Sequence, residues 1–151
     1  MITSDVMIKV FESFCSTKHS DVCNTVFGVV EDKERVALNR LFRGKSFSEV
    51  DVYKLRTEGS FYLSVIKSGV LHSCFPAFLL GCIEDPKGDL AFSVEFWIEG
   101  NMAIIKGRFF RKYNQQQMRL IADIYRMIKV ARYGEANEPL EKMVETICCG
   151  F

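Results

Sequence analysis

Only two histidines, three prolines and one tryptophan occur in this 151-residue chain, and the scarcity of each removes possibilities. With only His19 and His72 available, a histidine-rich metal centre or a histidine general base has few places to form. The six cysteines (Cys15, Cys23, Cys74, Cys82, Cys148 and Cys149) do not fall into the two tight ligand pairs that mark zinc sites. Cys15, His19 and Cys23 recur every fourth residue, but Ser16-Thr17-Lys18 and Ser20 break the helix that would align them, and a fourth ligand is missing. No metal is expected. His72 and Cys74 are two apart, a spacing that does not turn a base toward a thiol nucleophile. GxSxG, HExxH, GxxxxGK[ST] and GxGxxG are all absent, so no cofactor and no catalytic activity are expected. The start, MITSDVMIKVFESF, carries Asp5 and lacks the basic segment of an export signal. A cytoplasmic protein with free thiols is therefore expected. The longest apolar run, FPAFLLGCI, is far shorter than the ~20 residues that cross a bilayer.

What is present is enough for one folded domain spanning residues 1–151. Hydrophobic residues make up 48% of the chain and thirteen are Phe, so the core is expected to be built on Phe. Residues 61–85 are the most apolar stretch, and Pro76 suits the first turn of a short central helix over 77–83. Four further helices are expected. The first covers 2–15, with Met7, Val10, Phe11 and Phe14 on one face, and the second covers 31–42, stopped by Gly44. Another covers 115–133, capped by Asn114 and Gln117 and stopped by Gly134, and the last opens at Asn137-x-Pro139. Residues 51–56 suit a fifth, shorter helix, whereas 21–30 fit either a strand or a helix end. Residues 90–98 alternate, with Leu90, Phe92, Val94, Phe96 and Ile98 on one side and Ala91, Ser93, Glu95 and Trp97 on the other. That is the period of a half-buried strand. Glu99-Gly100-Asn101 then suits a hairpin loop, and 102–110 a return strand. The expected fold class is α+β: a single, mainly helical domain with a β-hairpin near residues 90–110.

The formal charge of +1 hides a local excess, since residues 101–133 carry eight basic side chains and one acidic, net +7. Such a stretch is either a footprint for nucleic acid or an acidic partner, or a solvated polar face. The near-neutral total favours the polar face, so nucleic acid is the lesser expectation. On the hairpin reading, Glu95, Trp97 and Glu99 form its outward polar face and Arg108, Arg111 and Lys112 lie on its return. These six residues are the candidate partner-binding set.

Three blocks resemble a bacterial family of unknown function. Phe42-Arg43-Gly44-Lys45-Ser46-Phe47-Ser48-Glu49-Val50 is similar to its F-x-G-K-x-W-x-[DE]-[IV] block, with Phe47 in place of Trp. Phe75-Pro76-Ala77-Phe78-Leu79-Leu80 is similar to its Y-L-P-A-F-L block, with Phe75 in place of Leu. Phe110 through Gln117 and Ile121 resembles its F-x-x-[LF]-[ST]-x-x-Q-x-x-x-I helix start. These blocks read as structural anchors. The resemblance implies a toxin-immunity-like role: a bacterial cytoplasmic protein that binds and neutralises a cognate secreted toxin by protein–protein interaction. A nucleic-acid-binding or regulatory module using residues 106–132 is the alternative.

Overall fold

The computed structural model describes residues 3–18, 32–59, 62–66, 68–104 and 108–149; His19, Cys23, Lys106 and the ambiguous segment 21–30 lie outside them. Seven α-helices follow one another among the described residues: α1 Thr3–Ser13, α2 Asp32–Phe42, α3 Val52–Glu58, α4 Ser68–Glu84, α5 Asp89–Ile104, α6 Gln115–Tyr133 and α7 Glu138–Cys149. Short 3-10 turns occupy Phe47–Glu49, Tyr62–Ser64 and Phe110–Lys112. The α+β expectation is overturned, because the described residues contain no strand.

α4 is the axis of the core. Phe75, Ala77, Phe78, Leu79, Leu80, Cys82 and Ile83 are buried on all its sides, and leaving any of the larger ones wet would cost about 1.5–3 kcal/mol. Helices α1, α3, α5 and α6 and the turn at 47–49 pack around it. Gly81 lets α5 approach closely, since a Cβ there would run into the Leu90 side chain.

Pro76 lies in the middle of the 17-residue α4 and not in its first turn. A proline has no N–H, so it strips the helical donor from the carbonyl four residues earlier, which is that of His72. Here the Tyr113 hydroxyl donates to that carbonyl at 2.7 Å. A donor 41 positions away thus replaces the missing helical one, which no local pattern around Pro76 shows.

The expected hairpin is helix α5, followed by the turn at Phe110–Lys112; residues 105–107 of the expected return strand lie outside the described set. The alternation at 90–98 also contains a helical stripe. Leu90, Ala91, Val94, Ile98 and Met102 are buried, including Ala91, which a strand would turn outward. The proposed loop lacks loop geometry. Gly100 is not among the described glycines with positive φ, Gly44 and Gly134, although the tight hairpin turn needs such a residue. Asn101 instead bonds one helical turn back, its side-chain amide donating to the Trp97 carbonyl at 2.8 Å.

α6 is the helix the sequence describes most fully. Asn114 Oδ1 accepts from Gln117 N at 2.8 Å, and Gln117 Oε1 accepts from Asn114 N at 2.9 Å, the reciprocal capping box. Gln117 Nε2 also donates to the Ser13 carbonyl at 2.8 Å, tying α6 to the end of α1. Gly134, at φ 92°, closes the far end. On α1, Val6, Val10 and Phe14 are buried, but Phe11, expected on that face, is largely exposed and stacks on Phe47 at 6.0 Å.

Candidate functional site

Helix α5 divides the candidate residues among three flanks. At about 100° per residue, Glu95 and Glu99 point toward α6, Trp97 and Asn101 point the other way, and Asp89, Phe92, Ser93, Phe96, Gly100 and Ala103 share an arc of about 100° between them. That arc faces outward: Phe92 is 49% and Phe96 72% exposed. A strand over 90–98 would place both on its core side.

The α6 flank is an ionic cluster. Glu95 is only 5% exposed at its side chain and meets Lys129 Nζ through Oε1 at 2.8 Å. Its Oε2 lies 3.4 Å from Arg132 Nε without forming a hydrogen bond, so charge alone holds that end. Lys129 Nζ also donates to Glu99 Oε1 at 3.0 Å, and the same oxygen accepts from the Tyr125 hydroxyl at 2.7 Å. Burial by itself would lower the Lys129 pKa, but its hydrogen bonds to Glu95 and Glu99 raise it overall. Burial first, then the bond to Glu99, push the Tyr125 phenol up as well. Both groups therefore keep their protons at neutral pH. Arg132 lies over the Phe92 ring at 4.8 Å, and Lys129 over the Tyr133 ring at 4.6 Å. Beside this cluster an open groove of about 460 Å³ runs between α6 and α7, walled by Tyr125, Tyr133, Pro139 and Met143 with Glu99 and Lys129. Its cation, Lys129, is matched by the carboxylates of Glu95 and Glu99.

The opposite flank is aromatic. Trp97 packs on Phe75 at 5.1 Å, Phe109 at 4.7 Å and Phe110 at 5.9 Å between ring centroids. It is a core residue seen from its edge. Phe109, Phe110 and Tyr113, all buried, seat the segment 108–113 on α4 and α5. The His72 ring stacks on Tyr113 at 4.1 Å. The imidazole bonds the Lys112 main chain, and its Nε2 is buried without a partner. Burial lowers the His72 pKa, offset in part by that main-chain bond. Above this footing, Arg108, Arg111 and Lys112 are exposed, and no ion pair among the described residues involves them.

The candidate set thus splits. Glu95 is buried, Trp97 is half-buried against the core rings, Glu99 is held by Tyr125 and Lys129, and Arg108, Arg111 and Lys112 alone of the set stand free on one turn. The +7 stretch is also partly neutralised: Arg126 pairs with Glu141 at 2.8 Å, while Lys129 and Arg132 pair with Glu95. The described thiols Cys15, Cys74 and Cys82 are free, and burial pushes Cys74 up to about 12 and Cys82 up further still. No group of three metal-ligating side chains occurs among the described residues. No described helix is long and apolar enough to cross a membrane.

Phe92 and Phe96 were missed as surface residues, and Lys129 and Arg132, read as part of a basic stretch, are instead paired with the acids of α5. The signal was available: Glu95 and Glu99 are spaced four apart, Lys129 and Arg132 three apart, the spacing of matched charges on two adjoining helices. Compared with protein-family models, curated proteins and solved structures, the chain matches none.

Proposed function

We propose that this chain is a non-catalytic cytoplasmic binding protein of the toxin-immunity type, which neutralises a cognate secreted bacterial toxin by covering its active surface. The observation that carries the reading is the turn bearing Arg108, Arg111 and Lys112. Three exposed cations stand close together on a segment whose aromatic residues are locked into the core. A surface held rigid before binding loses less conformational freedom when it docks, and complementary charge speeds encounter. The partner surface this turn fits is acidic. The perturbed groups support a binding role over a chemical one: the buried thiols are shifted away from thiolate, and Lys129 away from the free amine.

The test is co-purification of the tagged chain with the product of the adjacent gene. A stoichiometric complex is expected, weakened at least roughly tenfold when Arg108, Arg111 and Lys112 are all changed to Ala. A folded chain that captures nothing would contradict the reading. The same three cations also fit a phosphate backbone. Steeply salt-dependent binding to generic DNA or RNA would move the assignment to a nucleic-acid module.

A further inference from the structure

We infer that the groove between α6 and α7 is a binding site for a small organic cation, a protonated amine carried on an apolar body. The inference does not depend on the toxin reading.

Shape and lining set the body of the ligand. At about 460 Å³, the groove lies within the roughly 300–1,000 Å³ of small-molecule sites. Tyr125 and Tyr133 of α6, with Pro139, Leu140 and Met143 of α7, supply apolar walls. Tyr125 and Leu140 are buried beneath them, whereas Tyr133 is 61% exposed and offers a ring edge to a ligand. The α7 wall is fixed at its start, where Asn137 Oδ1 accepts from Leu140 N at 3.0 Å.

Charge sets its sign. Lys129 is the one cation among the described residues that line the groove, and it already donates to Glu95 at 2.8 Å and Glu99 at 3.0 Å. With Arg132 beside Glu95, these four charges cancel. Glu135 is left over: it lines the groove, is exposed, and enters no ion pair among the described residues. Glu99 also keeps an oxygen in reserve. Lys129 and Tyr125 both donate to its Oε1, whereas Oε2 accepts no bond among the described residues, and the side chain is 35% exposed. The segment forming the far wall, residues 134–151, carries four acidic side chains and one basic. Carbonyls at the end of α6 add negative potential, while the positive start of α7 is countered by Glu138 and Glu141 in its first turn. An amine can therefore donate to Glu99 Oε2 within the field of Glu135, with its apolar body against Tyr133 and Met143. An anion would find Lys129 already matched. With one charge in excess on an open groove, binding of a small probe is weak, in the millimolar range.

Amide proton–nitrogen spectra of the full chain, titrated with three probes that share one body, test this. The probes are phenethylamine, phenethyl alcohol and hydrocinnamate. Phenethylamine is expected to shift amides within 125–143 saturably at millimolar concentrations. The alcohol should bind roughly threefold more weakly than the amine, and hydrocinnamate at least roughly tenfold more weakly. Glu99→Gln should erase the amine's advantage over the alcohol. Glu135→Lys changes an exposed side chain, so it should weaken the amine and strengthen hydrocinnamate while the thermal midpoint stays where it is. No saturable shift with phenethylamine, shifts confined to other parts of the chain, or hydrocinnamate binding as tightly as the amine would overturn the proposal. Tetralysine binding in the groove where phenethylamine does not would also overturn it, in favour of a basic peptide.

Discussion

Helices α5 and α6 lie against each other and are nearly equal in length, yet they arise differently. α6 carries its own instructions: a reciprocal cap at Asn114 and Gln117, one apolar stripe, and Gly134 to end it. α5 has apolar residues on nearly every side and no cap of that kind, so its period is ambiguous between strand and helix. What makes it helical is its surroundings. Leu90 fits against Gly81, Trp97 enters the ring cluster of Phe75 and Phe109, and Glu95 meets Lys129. α4 belongs with α5 in this respect, since Tyr113 supplies the donor that Pro76 lacks. One helix is specified locally, and its neighbours are specified by distant contacts.

The comparison predicts that disturbing distant contacts costs more than disturbing a local cap. Trp97→Ala should remove about 3 kcal/mol of stability, the low end for truncating a large aromatic residue because its edge is exposed. Denaturant unfolding would measure this; a neutral result would return Trp97 to the surface. Tyr113→Phe leaves the His72 carbonyl without a donor and should cost about 1–3 kcal/mol, more than an ordinary lost hydroxyl. Asn114→Ala should cost about 1 kcal/mol, as caps do elsewhere. If the Asn114 loss exceeded the Tyr113 loss, the contrast between local and distant specification would fail.

The smallest expected effect is in pH. Burial holds the His72 pKa below its usual 6.5, so the unfolded chain binds a proton first as pH falls. The contribution of neutral His72 to stability is present above the unfolded pKa and declines as pH drops through it toward the folded value. Thermal midpoints between pH 7 and 5 should fall less steeply in His72→Gln than in wild type. Equal slopes would show that the imidazole is not the group responsible.

The same division explains how much was legible in the sequence. Caps, stops and single-faced stripes are local, so α2, α6 and α7 are readable within a residue or two. Pro76 misplaced the start of α4, because its rescue comes from Tyr113, far along the chain. The alternation at 90–98 favoured a strand, because a helix buried on several sides leaves apolar residues at almost any period. The candidate site inherited that error. Of the residues assigned to a polar face, Glu95 turned inward and Trp97 and Glu99 became half-buried on opposite flanks, while two Phe assigned to the core turned outward. Arg108, Arg111 and Lys112 kept their exposure, since exposed cations on a turn do not depend on which element precedes them.

The account rests most heavily on α5 being one continuous helix with Phe92 and Phe96 outside. Backbone ¹³C chemical shifts of residues 89–104, with proton contacts three and four residues apart, test it directly. The account predicts helical shifts through Glu99-Gly100-Asn101 without a break. Strand-type shifts on either side of Gly100, with cross-strand contacts between the two halves, would contradict it.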